Sequence, residues 1–289
     1  MGANFVVQGS LNQHSSLTTG DLLLSLRIDV NRKKVLISAL RAAGIVVLRH
    51  DPFTVSTEVK SSVGDLVTAA DLASEKVIIE TIRASFPNDL VLSEETKLGQ
   101  EKFNEQGLSG LTAWVIDPID GTNNFKRGMA YSGISIGYIE NGEIQIGGIL
   151  DPYRNVLYLA ERGLGATSNG MPVNVSDRLA LDAGTRVCTS NSYEAGTQEN
   201  LSRYEKIGYV WVDVLGSAVM IMADIASGKL DLYHHNGLKP WDNAAGFLIA
   251  REAGAKIVGL HGQPVTWLTN EVVMGNPQLV DLFIEKTSA

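Results

Sequence analysis

The run Trp114-Val115-Ile116-Asp117-Pro118-Ile119-Asp120-Gly121-Thr122 constrains this chain more than any other segment. Three bulky apolar residues ask for a buried strand. Pro118 has no amide proton to continue a ladder, so the backbone must turn just past Asp117. That turn can bring the Asp117 and Asp120 carboxylates and the Ile119 carbonyl to one point, three hard oxygen donors of the kind Mg²⁺ takes. Gly121 permits close approach, and the amides of Gly121 and Thr122 can face an anion if a helix starts there. Taken alone, the same residues can equally serve a turn and a helix cap.

Three further segments place acids at the ends of elements. Asp65-Leu66-Val67-Thr68-Ala69-Ala70-Asp71 has an acid at each edge of a strand-to-helix turn, and Leu92-Ser93-Glu94-Glu95-Thr96 has paired acids directly after a strand. Lys239-Pro240-Trp241-Asp242-Asn243-Ala244-Ala245-Gly246 has an acid where a helix should begin. Each has a plain alternative: Asp71 and Asp242 as N-caps, Glu94 and Glu95 as a solvated loop end. Five carboxylates brought together would repel one another unless cations neutralise them, whereas two cations among them could activate a water and stabilise a leaving oxygen.

The rest of the chain can build a frame for such a cluster. Apolar spacing predicts one or two helices over 22–48 with a possible break near Asn31, a hairpin over 54–64, and a helix over 69–86. Short apolar runs from Val91 to Ala160, with the Asn141-Gly142 turn between two of them, predict a largely antiparallel sheet. After a Gly-, Asn- and Asp-rich stretch at 162–185, strands and helices alternate, with a short strand at 230–233. The expected organisation is an arm at 1–20, a first subdomain at 21–170 carrying most of the acids, and a second at 171–289. The net charge of −8 argues against a nucleic-acid-coating surface. Cys188 is the sole cysteine, which leaves no intrachain disulfide or thiolate zinc site. With no run of the roughly 18 apolar residues a span needs and no basic n-region, we expect a cytoplasmic protein without membrane association.

In order and spacing, the four acidic segments resemble the inositol monophosphatase family of metal-dependent, lithium-sensitive phosphatases, from about Leu36 to the C-terminus. The resemblance implies a layered αβαβα sandwich, mixed α+β and α/β, of the inositol monophosphatase and fructose-1,6-bisphosphatase type. It further implies two or three Mg²⁺ ions: one held by Glu94, Asp117 and the Ile119 carbonyl, a second by Asp117, Asp120 and Asp242, and a weaker third at Glu94, with Glu95 in support. Thr122, oriented by Asp71, would position the attacking water, and Glu94 would share in catalysis. Gly121 and Thr122 would contact phosphate, and Gly216, Ser217 and Ala218 would face substrate hydroxyls, although Ser217 could simply cap a helix. Lys60 resembles a lysine on a hairpin over the site.

His235 stands where inositol-directed relatives present a Glu to ring hydroxyls, so it would read a different hydroxyl pattern when neutral or an additional anion when protonated. The implied activity is hydrolysis of a small phosphorylated alcohol, inositol 1-phosphate-like, by a homodimer. Histidinol phosphate and fructose 1,6-bisphosphate are alternative substrates, with a nucleotide 3'-phosphate behind them. A reading from another class is a regulatory, RNA-polymerase-associated protein that retains the site.

Overall fold

A computed structural model of the chain describes residues 19–60, 66–95, 110–189, 203–208 and 210–287. Residues 1–18 of the expected arm, the tip of the hairpin, Asp65 and Thr96 lie outside these residues, as do the side chains of 19–30, while residues 19 and 20 of that arm begin the first helix.

Helix α1 (Thr19–Arg49) is continuous, without the break considered near Asn31. Strands β1 (Thr57–Val59) and β2 (Leu66–Thr68) pair antiparallel as a hairpin whose second strand lies past the expected 54–64, and α2 (Ala69–Ser85) follows. Strands β3 (Leu90–Ser93), β4 (Ala113–Asp120), β5 (Gly133–Glu140), β6 (Glu143–Asp151), β7 (Val156–Glu161), β8 (Ala166–Ser168) and β9 (Met171–Pro172) form a seven-stranded sheet in sequence order, parallel only between β3 and β4. Strands β8 and β9 are too short to show a period in the sequence, and they carry the first sheet through Pro172. The short helix α3 (Thr122–Lys126) leaves the end of β4.

The second sheet has the order β11–β10–β12–β14–β13, built from β10 (Arg186–Thr189), β11 (Trp211–Asp213), β12 (Leu232–Asn236), β13 (Lys256–Val258) and β14 (Glu271–Gly275). A turn of helix at 203–207, α4, precedes β11. Helices α5 (Ala218–Ala226) and α6 (Pro240–Glu252) lie between the sheets, and α7 (Pro277–Thr287) ends the fold.

Three apolar cores separate the layers. One joins α1 and α2 to the outer face of the first sheet through residues such as Leu36, Leu40, Ile78 and Trp114. The largest wraps α5 and α6 and draws on both sheets, and the third joins the second sheet to α7. Helix, sheet, helix, sheet and helix therefore stack as an αβαβα sandwich.

Small residues set how closely the central helix approaches the first sheet. A Cβ on Gly137 would stand 2.8 Å from the Ala244 side chain, and one on Gly147 would stand 2.9 Å from the Ala245 carbonyl oxygen. The Ala244-Ala245 pair thus lets α6 rest directly on β5 and β6, which brings its N-terminal turn beside the end of β4.

Candidate active site

The site lies where β3, β4 and the N-terminal ends of α2, α5 and α6 converge. Strand β4 runs to Asp120, but its pairing with β5 shifts register between Asp117 and Asp120, where Pro118 interrupts the ladder. The Ile119 amide donates to the Asp117 carboxylate at 3.1 Å and closes the turn expected from the sequence. Gly121 then adopts a φ of 85°, and a Cβ there would stand 3.0 Å from Ser217 and 3.1 Å from the Gly216 carbonyl. Glycine is demanded on both counts.

Asp117, Asp120 and Asp242 come together: one oxygen from each lies within 4.8 Å of the others. Asp242 and Asp71 are both third residues of their helices rather than N-caps. Asp242 accepts the Lys239 amide at 2.7 Å, and Asp71 accepts the Thr68 amide at 2.8 Å. A side chain at this position reaches back to the cap while keeping a second oxygen for the site. For Asp71 that oxygen meets Thr122 Oγ1 at 3.1 Å, and the same hydroxyl lies 3.1 Å from the Ile119 carbonyl. One hydroxyl proton faces two acceptors.

Glu94 stands outside the three-aspartate cluster and is paired with Lys60, whose ammonium donates to Glu94 at 2.8 Å and to Glu95 at 2.9 Å. Its charge still reaches the cluster. Burial, and after it Glu94, Asp120 and Asp242, holds the Asp117 carboxyl well above the ordinary carboxylate range. Burial and then Asp120 do the same to Asp242. Asp120 is pushed up to about 7 by burial, against the pull of donors from Ser217 and Val219. Asp71 rises to about 6 through burial, opposed by the Thr68 and Thr122 hydrogen bonds, and Glu95 to about 8 through burial and Glu94. Such a set of buried, mutually repelling oxygen donors fits divalent cations, which would hold all of it ionised.

The segment 216–218 stands at the site but is turned toward Asp120. The Ser217 hydroxyl donates to Asp120, and the Ala218 and Val219 amides join it, the latter at 3.0 Å. Ser217 also caps α5 by accepting the Met220 amide. A helix N-terminus attracts the nearest carboxylate, and here that carboxylate is Asp120.

His235 belongs to β12, which runs three residues beyond the expected end at Tyr233. It shares a strand face with Tyr233, with ring centroids 5.6 Å apart, and its Nδ1 is buried without a hydrogen-bond partner. Burial, and then the neighbouring His234, lowers its pKa to about 3. The imidazole is therefore neutral near pH 7 in this structure, the form that offers one donor and one acceptor.

Sequence reasoning missed the hydrogen-bond partners of the site. Ser74 Oγ donates to the Pro118 carbonyl at 2.8 Å, Ser93 Oγ donates to Glu75, and Asn124 Nδ2 ties the Tyr131 and Leu215 carbonyls at 2.7 Å each. None has a local signature beyond lying beside an acidic motif or on a helix face.

Comparison with known proteins agrees with this geometry. The inositol monophosphatase family model matches residues 31–289. Nus factor SuhB of Escherichia coli K12 is 35% identical over 253 residues, covering 85% of this chain and 91% of the relative. Fructose-1,6-bisphosphatase/inositol-1-monophosphatase of Thermotoga maritima is 32% identical over 245 residues, with coverages of 85% and 91%. The solved structure of extragenic suppressor protein suhB from Bartonella henselae superposes with a TM-score of 0.81 at 26% identity, covering 89% of this chain and 98% of that one.

Proposed function

The chain belongs to the inositol monophosphatase family, and from that premise we propose that it is a Mg²⁺-dependent phosphomonoesterase acting on a small phosphorylated alcohol. The convergence of Asp117, Asp120 and Asp242 within 4.8 Å, with Thr122 and Asp71 at its edge, carries the reading. Glu94, Asp117, the Ile119 carbonyl, Asp120 and Asp242 would hold two or three ions. Those ions would activate a water and neutralise charge on the phosphoryl and leaving oxygens.

The chain's own groups then have separable tasks. When Thr122 donates to Asp71, its oxygen lone pair is left to accept from the attacking water and orient it. The amides of Gly121 and Thr122 contact phosphate oxygens. Glu95, with Lys60 across it, supports Glu94.

For the alcohol, an inositol 1-phosphate-like substrate comes first. The neutral His235 offers one donor and one acceptor where inositol-directed relatives offer an acid, which keeps histidinol phosphate and fructose 1,6-bisphosphate as alternatives. Phosphate release from all three, measured with and without Mg²⁺, tests the reading; no release from any of them in the presence of Mg²⁺ would refute it.

A second reading has one observation behind it: relatives at 35% identity are called Nus factor SuhB. A role with RNA polymerase would require a partner surface rather than turnover. Capture of purified polymerase by an Asp117→Asn variant would establish it independently of the phosphatase. We also propose a homodimer in the cytoplasm; light scattering at micromolar concentration tests the dimer.

A further inference from the structure

Helix α2 touches the site through more than Asp71. Residues 71, 74 and 75 fall on one helical face, three and four positions apart. Each grips a different segment: Asp71 takes the Thr122 hydroxyl at 3.1 Å, Ser74 donates to the Pro118 carbonyl at 2.8 Å, and Glu75 accepts from Ser93. Ser74, Glu75 and Ser93 are all buried, so these bonds are shielded from competing water. Ser93 is the last residue of β3 and directly precedes Glu94, while Pro118 lies between Asp117 and Asp120 in the register shift of β4. Strands β3 and β4 are parallel neighbours with Ser93 opposite Ile116, so their ends reach the site side by side.

A carboxylate as buried as Glu75 is costly unless it is hydrogen-bonded. Glu75 spends that cost at the end of the strand that presents Glu94. The ladder ends at Ser93 and lapses between Asp117 and Asp120, and the helix face adds a restraint at both places. We propose that Glu75, acting through Ser93, and Ser74, acting through the Pro118 carbonyl, are positioning residues that set the separation between Glu94 and the Asp117–Asp120 pair. The inference rests on the metal reading given above and adds the residues that tune it.

The test is Mn²⁺ binding to the folded, metal-stripped full chain, followed by calorimetry and water-proton relaxation, with no substrate present. Glu75→Leu removes the acceptor and fills its volume, Ser93→Ala removes the donor while leaving the helix untouched, and Glu75→Gln keeps an acceptor oxygen for Ser93. Groups that orient ligands from behind typically change metal affinity by about 10- to 100-fold. We expect Glu75→Leu and Ser93→Ala to weaken the Glu94-dependent ion about tenfold or more. Glu75→Gln should stay within about twofold of the parent, and Ser74→Ala should weaken the Asp117–Asp120 ion by about tenfold.

All measurements are made well below each variant's thermal midpoint, so a purely structural role would lower the midpoint and leave the isotherms unchanged. Parental isotherms in folded Ser93→Ala and Ser74→Ala would overturn the inference, even if Glu75→Leu failed to fold. A parent that binds no divalent ion would instead refute the metal reading, and the inference with it.

Discussion

The Ser217 hydroxyl donates to Asp120 across 97 residues of chain and also accepts the Met220 amide at 3.4 Å, so one side chain both caps α5 and orients an acid of the cluster. Ser217→Ala should therefore have two separable effects. Loss of the cap costs about 1 kcal/mol of stability. Loss of the donor to Asp120 should weaken the Mg²⁺ dependence of turnover by about tenfold, read from activity against Mg²⁺ concentration. A stability loss with an unchanged Mg²⁺ curve would reduce Ser217 to a cap.

Asp117 is buried, and burial followed by its acidic neighbours favours its protonated form without ions. Asn is close in shape and neutral, so Asp117→Asn should change the stability of the metal-free protein by less than about 1 kcal/mol. Turnover should fall by about a thousandfold, since the ions proposed for the site would lose a carboxylate and with it several kcal/mol of charge stabilisation. Near-parental activity in the folded variant would sink the metal assignment.

Stabilisation by Mg²⁺ should grow with pH. In the metal-free protein the folded-state pKa values of Asp71, about 6, and Asp120, about 7, lie above the unfolded carboxylate value of about 4. The native state then holds protons that the unfolded chain releases. Its stability is highest below about pH 4 for these groups and is lost as pH rises through about 6 to 7. Saturating Mg²⁺ binds the ionised carboxylates and should raise the denaturation midpoint, more at pH 8 than at pH 5. Equal Mg²⁺ shifts at both pH values would contradict the shared site.

With a pKa near 3, His235 stays neutral from pH 5.5 to 8. The ratio of kcat/KM values for inositol 1-phosphate and fructose 1,6-bisphosphate should carry no titration from His235 across that range. Replacing a donor-acceptor ring by a carboxylate that accepts from two hydroxyls, His235→Glu should shift preference toward inositol 1-phosphate by about 10-fold, an effect of 1 to 2 kcal/mol. Unchanged relative kcat/KM values would show that His235 does not read the substrate.

Much of this protein is legible in one dimension. The turn at Asp117-Pro118-Ile119-Asp120 follows from a missing amide proton and the reach of two short side chains, both local facts. The period of α2 appears in the apolar spacing because it buries one face against a core, whereas β5 and β6 show as short apolar runs because nearly all their residues are buried. Tertiary structure decided what depends on distance through space. Asp242 reaches the cluster because Gly137 and Gly147 let Ala244 and Ala245 settle on the sheet. Ser217 serves Asp120 because a helix N-terminus happens to face that carboxylate. The neutrality of His235 and the raised pKa values of the acids come from burial, which depends on the finished packing of all five layers, whereas residue type and spacing fix only which groups are available to be buried.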